Sequence, residues 1–272
     1  MDPRPSPPFP DDDAPPPPGA RRDAALQIVF VLVVVGVWLF SLERLGVRSF
    51  LQTRLPHAWI YVDIASSGIL GLTTIALLLA LFRQRWTSVG LSQTPAASAV
   101  GWGLLATLPC YAFGAIAQLV TFAVLRQNPQ AMAEQKVKGL ELLAHVPFSL
   151  MLPLALFAGV YEEILFRGLL LSRLTTLLHL PRLGRRGAAV LAAFASSLLF
   201  SLGHAYQGVP GMVQTFAVGA VLCAVALWRK NLWACIVAHA AIDTFGLFAL
   251  RVLVPLLQQA LKTVSGVDAG TP

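Results

Sequence analysis

Long apolar segments alternate with short polar connections along most of the chain. Seven of them are long enough to cross a bilayer, at about 26–42, 62–82, 99–125, 146–171, 188–204, 211–228 and 231–250. A crossing takes about 20 helical residues, and backbone in lipid must satisfy its hydrogen bonds within the segment. A shorter apolar stretch, 252–261, follows and is expected at the membrane interface. The pattern predicts an all-α, polytopic transmembrane helical bundle of about seven to eight helices.

Composition narrows the class of protein. The 272 residues are 56% hydrophobic and 12% charged, whereas about 25% of the residues of a soluble domain are charged. We therefore predict a multi-pass integral protein of the cell membrane. The net charge of +7 comes from Arg and Lys scattered between apolar segments, which indicates helix orientation with the amino terminus inside, and no nucleic-acid binding. Cys110, Cys223 and Cys235 lie in apolar runs and are expected as small core residues.

The amino-terminal residues differ in composition from the rest of the chain. Residues 1–20 read MDPRPSPPFPDDDAPPPPGA, which is rich in proline and aspartate. Such a sequence cannot bury a core, so residues 1–24 are predicted to form a disordered, Pro-rich cytoplasmic tail. Residues 25–264 show no repeat of 20 to 50 residues and are predicted to form a single transmembrane domain.

The fourth apolar segment is too long for one simple crossing. It is apolar almost throughout from Val146 to Leu180, and as one helix it would measure about 52 Å against a hydrocarbon core of roughly 30 Å. We therefore expect it to protrude, tilt or break, with Pro153, Gly159 and Gly168 as candidate positions for a break.

Three charged side chains lie inside this segment, in the sequence GVYEEILFRG at 159–168. Glu163 and Arg167 are four residues apart and share a helix face in the order that favours an ion pair. Glu162 is rotated by about 100° from Glu163 and by about 140° from Arg167. We expect Arg167 to neutralise Glu163 and Glu162 to remain free.

Further polar groups lie on the later segments. The sequence FSLGH places His204 at the end of the fifth segment, and HAAID places His239 and Asp243 four residues apart on the last. Each group also has a structural interpretation, as a packing partner, an interfacial histidine or an imidazole in a polar pocket. A charged side chain at a helix centre costs about 2.5–3.5 kcal/mol, so intramembrane charges are functional candidates by default. Together the groups can activate water.

Three short motifs occur in order on successive predicted helices. EEILFR (162–167) matches EExxxR, FSLGH (200–204) matches FxxxH, and HAAID (239–243) matches HxxxN/D. In this order they resemble the CPBP family of intramembrane proteases, which comprises CAAX prenyl proteases and bacteriocin-processing enzymes and is related to type II CAAX endopeptidases. The resemblance spans residues 162–243 and implies hydrolysis of a peptide bond within or at the membrane.

The resemblance also implies roles for individual residues. Glu162 would be the general base that takes a proton from water, and His204 would help to hold that water. Glu163 and Arg167 would fix the helix and tune the pocket.

In the same resemblance, His239 and Asp243 would face the scissile carbonyl and stabilise the oxyanion. Relatives are described both as metalloproteases and as glutamate-dependent enzymes. Glu162, His204, His239 and Asp243 are all acceptable Zn²⁺ ligands, although the chain has no HExxH motif. Many relatives have Asn at the position of Asp243; an ionised Asp243 would instead favour a donating His239 or bind a metal. A divalent metal such as Zn²⁺ and a metal-free site both stay open.

The positions of the two histidines along their segments set a geometric test. At 1.5 Å per residue, His204 lies about 24 Å along the fifth segment and His239 about 12 Å along the last. Straight antiparallel helices that start at one membrane surface would place the two histidines several ångströms apart. We therefore expect the fifth helix to begin earlier, near Arg185, or the helices to tilt strongly. A separation of Glu162, His204 and His239 by more than about 10 Å would exceed the reach of shared proton chemistry.

The predicted function is an intramembrane endopeptidase with membrane lipid and a membrane-anchored peptide or protein as its partners. CAAX-type processing and peptide maturation or immunity are both open as its role. A proton- or cation-coupled transporter would use similar carboxylates and histidines, although paired broken helices in two repeated halves are not evident. A non-catalytic, protease-like scaffold is a third alternative. Replacing Glu162 separates these, because an enzyme would lose turnover and still bind.

Overall fold

The computed structural model describes residues 15–55, 59–125 and 146–264, and these are helical apart from short connections. In chain order the α-helices are α1 (Ala20–Arg44), α2 (Val47–Arg54), α3 (Trp59–Leu81), α4 (Ala96–Leu125), α5 (Phe148–Glu163), α6 (Ser172–Leu178), α7 (Gly184–Gly203), α8 (Gly208–Arg229) and α9 (Trp233–Val264). A π-helix, Ile164–Leu171, joins α5 to α6 without interruption. With α5–α6 counted as one, the described residues form eight helices, which confirms the predicted all-α bundle.

Six of the described helices are long and apolar enough to cross a membrane. They are α3, α4, the continuous α5–α6 helix, α7, α8 and α9. The first predicted segment lies in α1, which is not among these six. Residues 252–261 do not form a separate element, because α9 continues through them.

The predicted division into a tail and one domain falls partly on described residues. Residues 1–14 of the predicted tail lie outside the described residues, and α1 begins at Ala20, ahead of the predicted boundary at residue 25. One hydrophobic core receives side chains from α1, α3, α4, α7, α8, α9 and the π-helix. The three cysteines are unpaired and buried, as predicted.

The long fourth segment does not break at any of the three candidate positions. It runs as one helix from Phe148 to Leu178, with Pro153 inside α5. Its irregularity is the π-helix, which carries Arg167 and Gly168. π-Helical turns inside α-helices are rare and frequently occur at functional sites.

Helix α9 approaches α4 and α5 closely where those helices carry glycine. A Cβ on Gly103 of α4 would lie 2.5 Å from the side chain of Val237. A Cβ on Gly159 of α5 would lie 3.2 Å from the carbonyl oxygen of Ile236 and 3.5 Å from Cβ of His239. Small residues permit such close approach of helices in membranes. Gly159 therefore brings His239 against α5 and does not break the helix.

Gly168 brings the π-helix against the connection between α3 and α4. A Cβ on Gly168 would lie 2.6 Å from the carbonyl oxygen of Val89. We expect Gly168→Ala to lower the free energy of unfolding by about 1–3 kcal/mol, because the backbone at Val89 must move. Thermal unfolding in detergent, followed by tryptophan fluorescence, measures this loss.

Gly101→Ala is the matched control for this variant. Gly101 lies in α4, and a Cβ there would meet no atom of another element within 4 Å. Alanine favours a helix over glycine by up to about 1 kcal/mol, so the control should unfold at the same or a higher temperature. Equal destabilisation by both substitutions would contradict the importance of the Gly168 contact.

Candidate active site

A buried ion pair lies at the junction of α5 and the π-helix. Arg167 Nη1 donates to Glu163 Oε1 at 2.8 Å, and neither side chain is exposed. Arg167 also lies over the ring of Phe200 on α7, with Cζ 4.3 Å from the centroid. Its Nη2 is 3.4 Å from the carbonyl oxygen of Gly219 on α8. The predicted Glu163–Arg167 pair is therefore present, and it also links α5 to α7 and α8.

His239 on α9 is held by the same glutamate. Its Nδ1 is 2.7 Å from Glu163 Oε1, the oxygen that also accepts from Arg167. Because a carboxylate oxygen accepts, Nδ1 of His239 carries the hydrogen. Glu163 thereby fixes the orientation of the imidazole, since the hydrogen bond at one ring nitrogen determines the direction and role of the other.

The other ring nitrogen of His239 faces two further carboxylates. Nε2 lies 3.7 Å from Glu162 Oε2 and 3.5 Å from Asp243 Oδ2. His239 and Asp243 thus share a face of α9, as their spacing predicted. The fold brings Glu162, Glu163, Arg167, His239 and Asp243 into one group of contacting charged side chains, which we call the charged cluster.

Glu162 has a partner that the sequence analysis missed. The hydroxyl of Tyr161 donates to Glu162 Oε1 at 2.8 Å, so the expectation of a free Glu162 was wrong for one of its two oxygens. Adjacent helical residues do not face each other, and only the length of the Tyr161 and Glu162 side chains allows this contact. Glu162 Oε2 is buried and has no hydrogen-bond partner among the described residues. A Cβ on Gly68 of α3 would lie 2.7 Å from the Tyr161 ring, so α3 packs directly against Tyr161.

His204 lies next to the charged cluster and contacts it through Phe200. It follows the last residue of α7, and its Nδ1 is 2.9 Å from the carbonyl oxygen of Phe200. The Phe200 ring lies 4.7 Å from the His204 ring and 5.8 Å from the His239 ring, between centroids. Because the carbonyl accepts, Nδ1 of His204 carries the hydrogen, which leaves Nε2 as an acceptor in the neutral ring.

Helix α7 starts early, and its end lies beside the charged cluster. It begins at Gly184, four residues before the apolar segment that was predicted for it, which agrees with the expectation of an early start near Arg185. The Phe200 ring, in the last turn of α7, contacts the rings of both histidines.

The four predicted metal ligands are not gathered as a ligand group. Among the residues that the structure describes, no three His, Cys, Asp or Glu side chains are arranged to hold a metal ion. Glu162 and Asp243 both approach Nε2 of His239, and the His204 ring contacts the Phe200 ring, which also contacts the His239 ring. In this arrangement the four residues do not fit a metal, and the Zn²⁺ site remains a prediction.

Part of the chain matches a known family. Residues 144–245 match the family model described as Type II CAAX prenyl endopeptidase Rce1-like. The matched range contains all three motifs and extends from just before α5 into α9. No curated protein and no solved structure matches the chain.

The fold and the charged cluster together define the class of protein. A helical membrane bundle that buries ionisable side chains against one another is typical of a functional site inside the membrane. The matched range makes the class more specific: residues 144–245 are similar to the type II CAAX prenyl endopeptidase (CPBP) family, as the motifs indicated. The six apolar helices make the chain an integral, multi-pass membrane protein, and its residues 144–245 are similar to a family of proteases.

Proposed function

We propose that the protein is a CAAX-type intramembrane endopeptidase in which Glu162 activates water to hydrolyse a peptide bond of a membrane-anchored peptide or protein. The observation that carries this proposal is the position of His239. One of its ring nitrogens is fixed by the buried Glu163, and the other lies 3.7 Å from Glu162 Oε2, which has no hydrogen-bond partner among the described residues. A base and a hydrogen-bond donor that flank one point are what water attack on a carbonyl requires.

The proposed reaction uses Glu162 as a general base. Glu162 Oε2 takes a proton from water, and the water oxygen forms a bond to the scissile carbonyl carbon. An Nε2–H of His239 stabilises the resulting oxyanion, and the neighbouring Asp243 carboxylate favours that donating form of the ring. The proton then passes from Glu162 to the leaving nitrogen, the C–N bond breaks, and a carboxylate and an amine are released.

The remaining residues of the site orient His239 or bind the attacking water. Glu163 and Arg167 are positioning residues, because they act on the substrate only through the orientation of His239. Since Nδ1 of His204 donates to the carbonyl oxygen of Phe200, its Nε2 is the atom that would accept a hydrogen bond from the attacking water. This role matches the one that the family resemblance implies for His204.

Peptide cleavage by the purified protein tests the proposal. The protein, in detergent or nanodiscs, is incubated with prenylated CAAX peptides and with a library of membrane-derived peptides, and the products are identified by mass spectrometry. We expect one or more defined cleavage sites. A folded, monodisperse sample that cleaves no peptide would contradict the proposal.

Metal analysis of the same sample distinguishes a metal-dependent mechanism from a glutamate-dependent one, the two mechanisms by which relatives are described. Bound metal per protein is measured by mass spectrometry before and after dialysis against a chelator. Unchanged cleavage after dialysis supports the side-chain mechanism. A loss of cleavage that one equivalent of Zn²⁺ restores would instead assign a metal step, and this step would replace the side-chain mechanism.

Tyr161→Phe is expected to lower kcat by about tenfold with little change in KM. The substitution removes a hydrogen bond to a carboxylate, which is worth about 1.5–3 kcal/mol, and leaves Glu162 less well oriented. In the Glu162→Gln background the same substitution should cause no further loss, because Tyr161 acts through Glu162. Steady-state kinetics of the single and double variants measure both effects.

Tyr61→Phe is the matched control for Tyr161→Phe. Tyr61 is a half-buried residue of α3 that packs against a separate small apolar cluster. Its loss of a hydroxyl should leave kcat unchanged. A tenfold loss that persists in the Glu162→Gln background would show that Tyr161 has only a structural role.

A further inference from the structure

One end of the bundle carries most of the basic residues that the structure describes. Arg173 of α6 donates to Gln27 of α1 and to Gln84 in the α3–α4 connection, each at 2.7 Å. The N–H of Leu232, between α8 and α9, donates to the carbonyl oxygen of Gly90 in the same connection at 3.0 Å. These elements therefore meet at one end of the bundle, which we call the basic end. Its Arg and Lys residues are Arg21, Arg22, Arg83, Arg85, Arg173, Arg182, Arg185, Arg186, Arg229 and Lys230.

The charge of the basic end indicates which membrane leaflet it faces. Among the described residues of these segments Asp23 is the one carboxylate, and it pairs with Arg22. An excess of Arg and Lys marks the cytoplasmic end of a membrane protein. The cytoplasmic leaflet carries anionic lipids, and basic pockets between helices on that side bind their headgroups. An anionic phospholipid is therefore the class of ligand whose charge complements this end.

Arg229, the last residue of α8, is a cation of the basic end that two indole rings hold in place. Its Cζ lies 4.7 Å from the ring centroid of Trp102 on α4 and 5.5 Å from that of Trp228 on α8. The two rings meet edge to face, with their centroids 5.0 Å apart. Nε of Arg229 is buried and has no hydrogen-bond partner among the described residues. Because cation–π contacts use the face of the guanidinium, its N–H groups stay available to the oxygen atoms of a phosphate.

An apolar groove of about 620 Å³ between α4 and α8 begins at the same Trp228. Pro109 and Phe113 line it on α4, and on α8 its lining extends from Phe216 to Trp228, with small side chains such as Ala224 between these two rings. Twelve residues of helix span about 18 Å, and one leaflet of the hydrocarbon core is about 15 Å thick. The groove, which we call the α4–α8 groove, therefore has the length of one acyl chain of a single leaflet.

A smaller hollow lies at the start of α4, closer to the basic end. It measures about 270 Å³, and Ser98, Gly101 and Trp102 are among its lining residues. Trp102 is also the ring that contacts Arg229. The hollow, the guanidinium and the α4–α8 groove thus follow one another from the basic end into the membrane. A phospholipid presents its headgroup, its phosphate and its acyl chain in this order.

We propose that Arg229 and the α4–α8 groove form a binding site for one anionic phospholipid. The phosphate accepts charge-assisted hydrogen bonds from the Arg229 guanidinium, the headgroup lies against the hollow at Ser98, and one acyl chain lies in the groove. The site is separate from the charged cluster: Gly219, which contacts Arg167, precedes Arg229 by ten residues of α8, or about 15 Å. This inference does not depend on the proposed function.

Lipid retention, measured by native mass spectrometry, tests the inference. The protein is released from nanodiscs that contain phosphatidylglycerol and phosphatidylcholine in equal amounts, with the same oleoyl chains in both lipids. We expect one phosphatidylglycerol per protein, at an occupancy several-fold above that of phosphatidylcholine. Equal occupancy of the two lipids, or no retained lipid, would overturn the inference.

Two variants remove the two parts of the site separately. Arg229→Gln removes the cation and should lower the affinity for phosphatidylglycerol about fivefold. Ala224→Phe fills the groove from an exposed position of α8 and leaves Arg229 unchanged. It should lower the affinity by at least as much, because the acyl chain then has no place. Full retention of the lipid by both variants would contradict the proposed site.

Arg186→Gln and Ala115→Phe are the matched controls. Arg186 is exposed at the same basic end, and Ala115 is exposed on α4 and is not part of the groove lining. Both variants should retain the lipid as the unmodified protein does. An equal loss in Arg186→Gln and Arg229→Gln would indicate a diffuse attraction of lipids to the basic end and would overturn a site at Arg229.

Thermal unfolding, followed by circular dichroism, distinguishes a phospholipid from a free phosphate as the ligand. A ligand that binds the native state raises Tm, so phosphatidylglycerol should raise it in the unmodified protein and much less in Ala224→Phe. Inorganic phosphate and glycerol 3-phosphate at the same concentration should leave Tm unchanged, because they have no acyl chain. An equal rise with either of them would overturn the inference. Peptide cleavage enters none of these measurements, so their failure would leave the proposed function standing.

Discussion

Glu162→Gln is expected to lower kcat by roughly 100- to 10,000-fold, the range that a positioned general base contributes. The amide oxygen of Gln can still accept the hydrogen bond from Tyr161, so the side chain keeps its place in α5. What is lost is the ability of the second oxygen to take a proton. Peptide cleavage at saturating substrate measures the loss, and thermal unfolding verifies that the variant is folded.

Substrate binding and a surface substitution complete this test. Binding of the uncleaved peptide to the Glu162→Gln protein should persist, because an enzyme that has lost its base still holds its substrate. Asp23→Asn makes the same chemical change at an exposed position and should retain full activity. Unaltered cleavage by the Glu162→Gln protein would exclude Glu162 as the base.

Arg167→Met is expected to be the most destabilising single substitution in the site, at about 3–5 kcal/mol. The reason is that Glu163 would lose the guanidinium that pairs with it in a fully buried position. The Phe200 ring would also lose the guanidinium that lies 4.3 Å from its centroid. Thermal unfolding in detergent measures the change, and activity should fall because Glu163 no longer holds His239 in place.

A double variant separates charge pairing from catalysis. Glu163→Gln combined with Arg167→Met removes both buried charges, so most of the lost stability should return. Activity should stay low, because His239 then lacks the carboxylate that fixes its ring. Arg186→Met, at an exposed position in the first turn of α7, should change the free energy of unfolding by no more than about 0.5 kcal/mol. A double variant as unstable as Arg167→Met would contradict a stabilising role for the pair.

Helical periodicity was sufficient to predict the contacts within single helices. The four-residue spacings of Glu163 with Arg167 and of His239 with Asp243 both correspond to contacts in the structure. The apolar segments likewise predicted most of the helices. These features depend on the geometry of one helix, which the sequence alone specifies.

The contacts between helices were not predictable in the same way. The bond between Glu163 and His239 joins residues 76 positions apart, and no local pattern sets the relative height of two helices. The π-helix has no signature in the hydrophobic pattern, and it lies in the segment that was expected to protrude, tilt or break. Tyr161 was missed because neighbouring helical residues normally point apart. An early start of the fifth helix was inferred only because the motifs required the two histidines to meet.

The charge at residue 243 cannot be predicted from the motif alone. Asp243 and an Asn at the same position fill nearly the same volume, but only the carboxylate adds charge beside Nε2 of His239. The motif HxxxN/D allows both and so does not distinguish them.

The most direct measurement is a single turnover in water labelled with ¹⁸O, followed by mass spectrometry of the peptide product and of the enzyme fragment that contains Glu162. If Glu162 activates water as a general base, the new carboxylate of the product carries one ¹⁸O and the Glu162 fragment carries none. Label in the Glu162 fragment, with an unlabelled carboxylate in the product, would show that Glu162 attacks the substrate itself and would contradict the proposed mechanism.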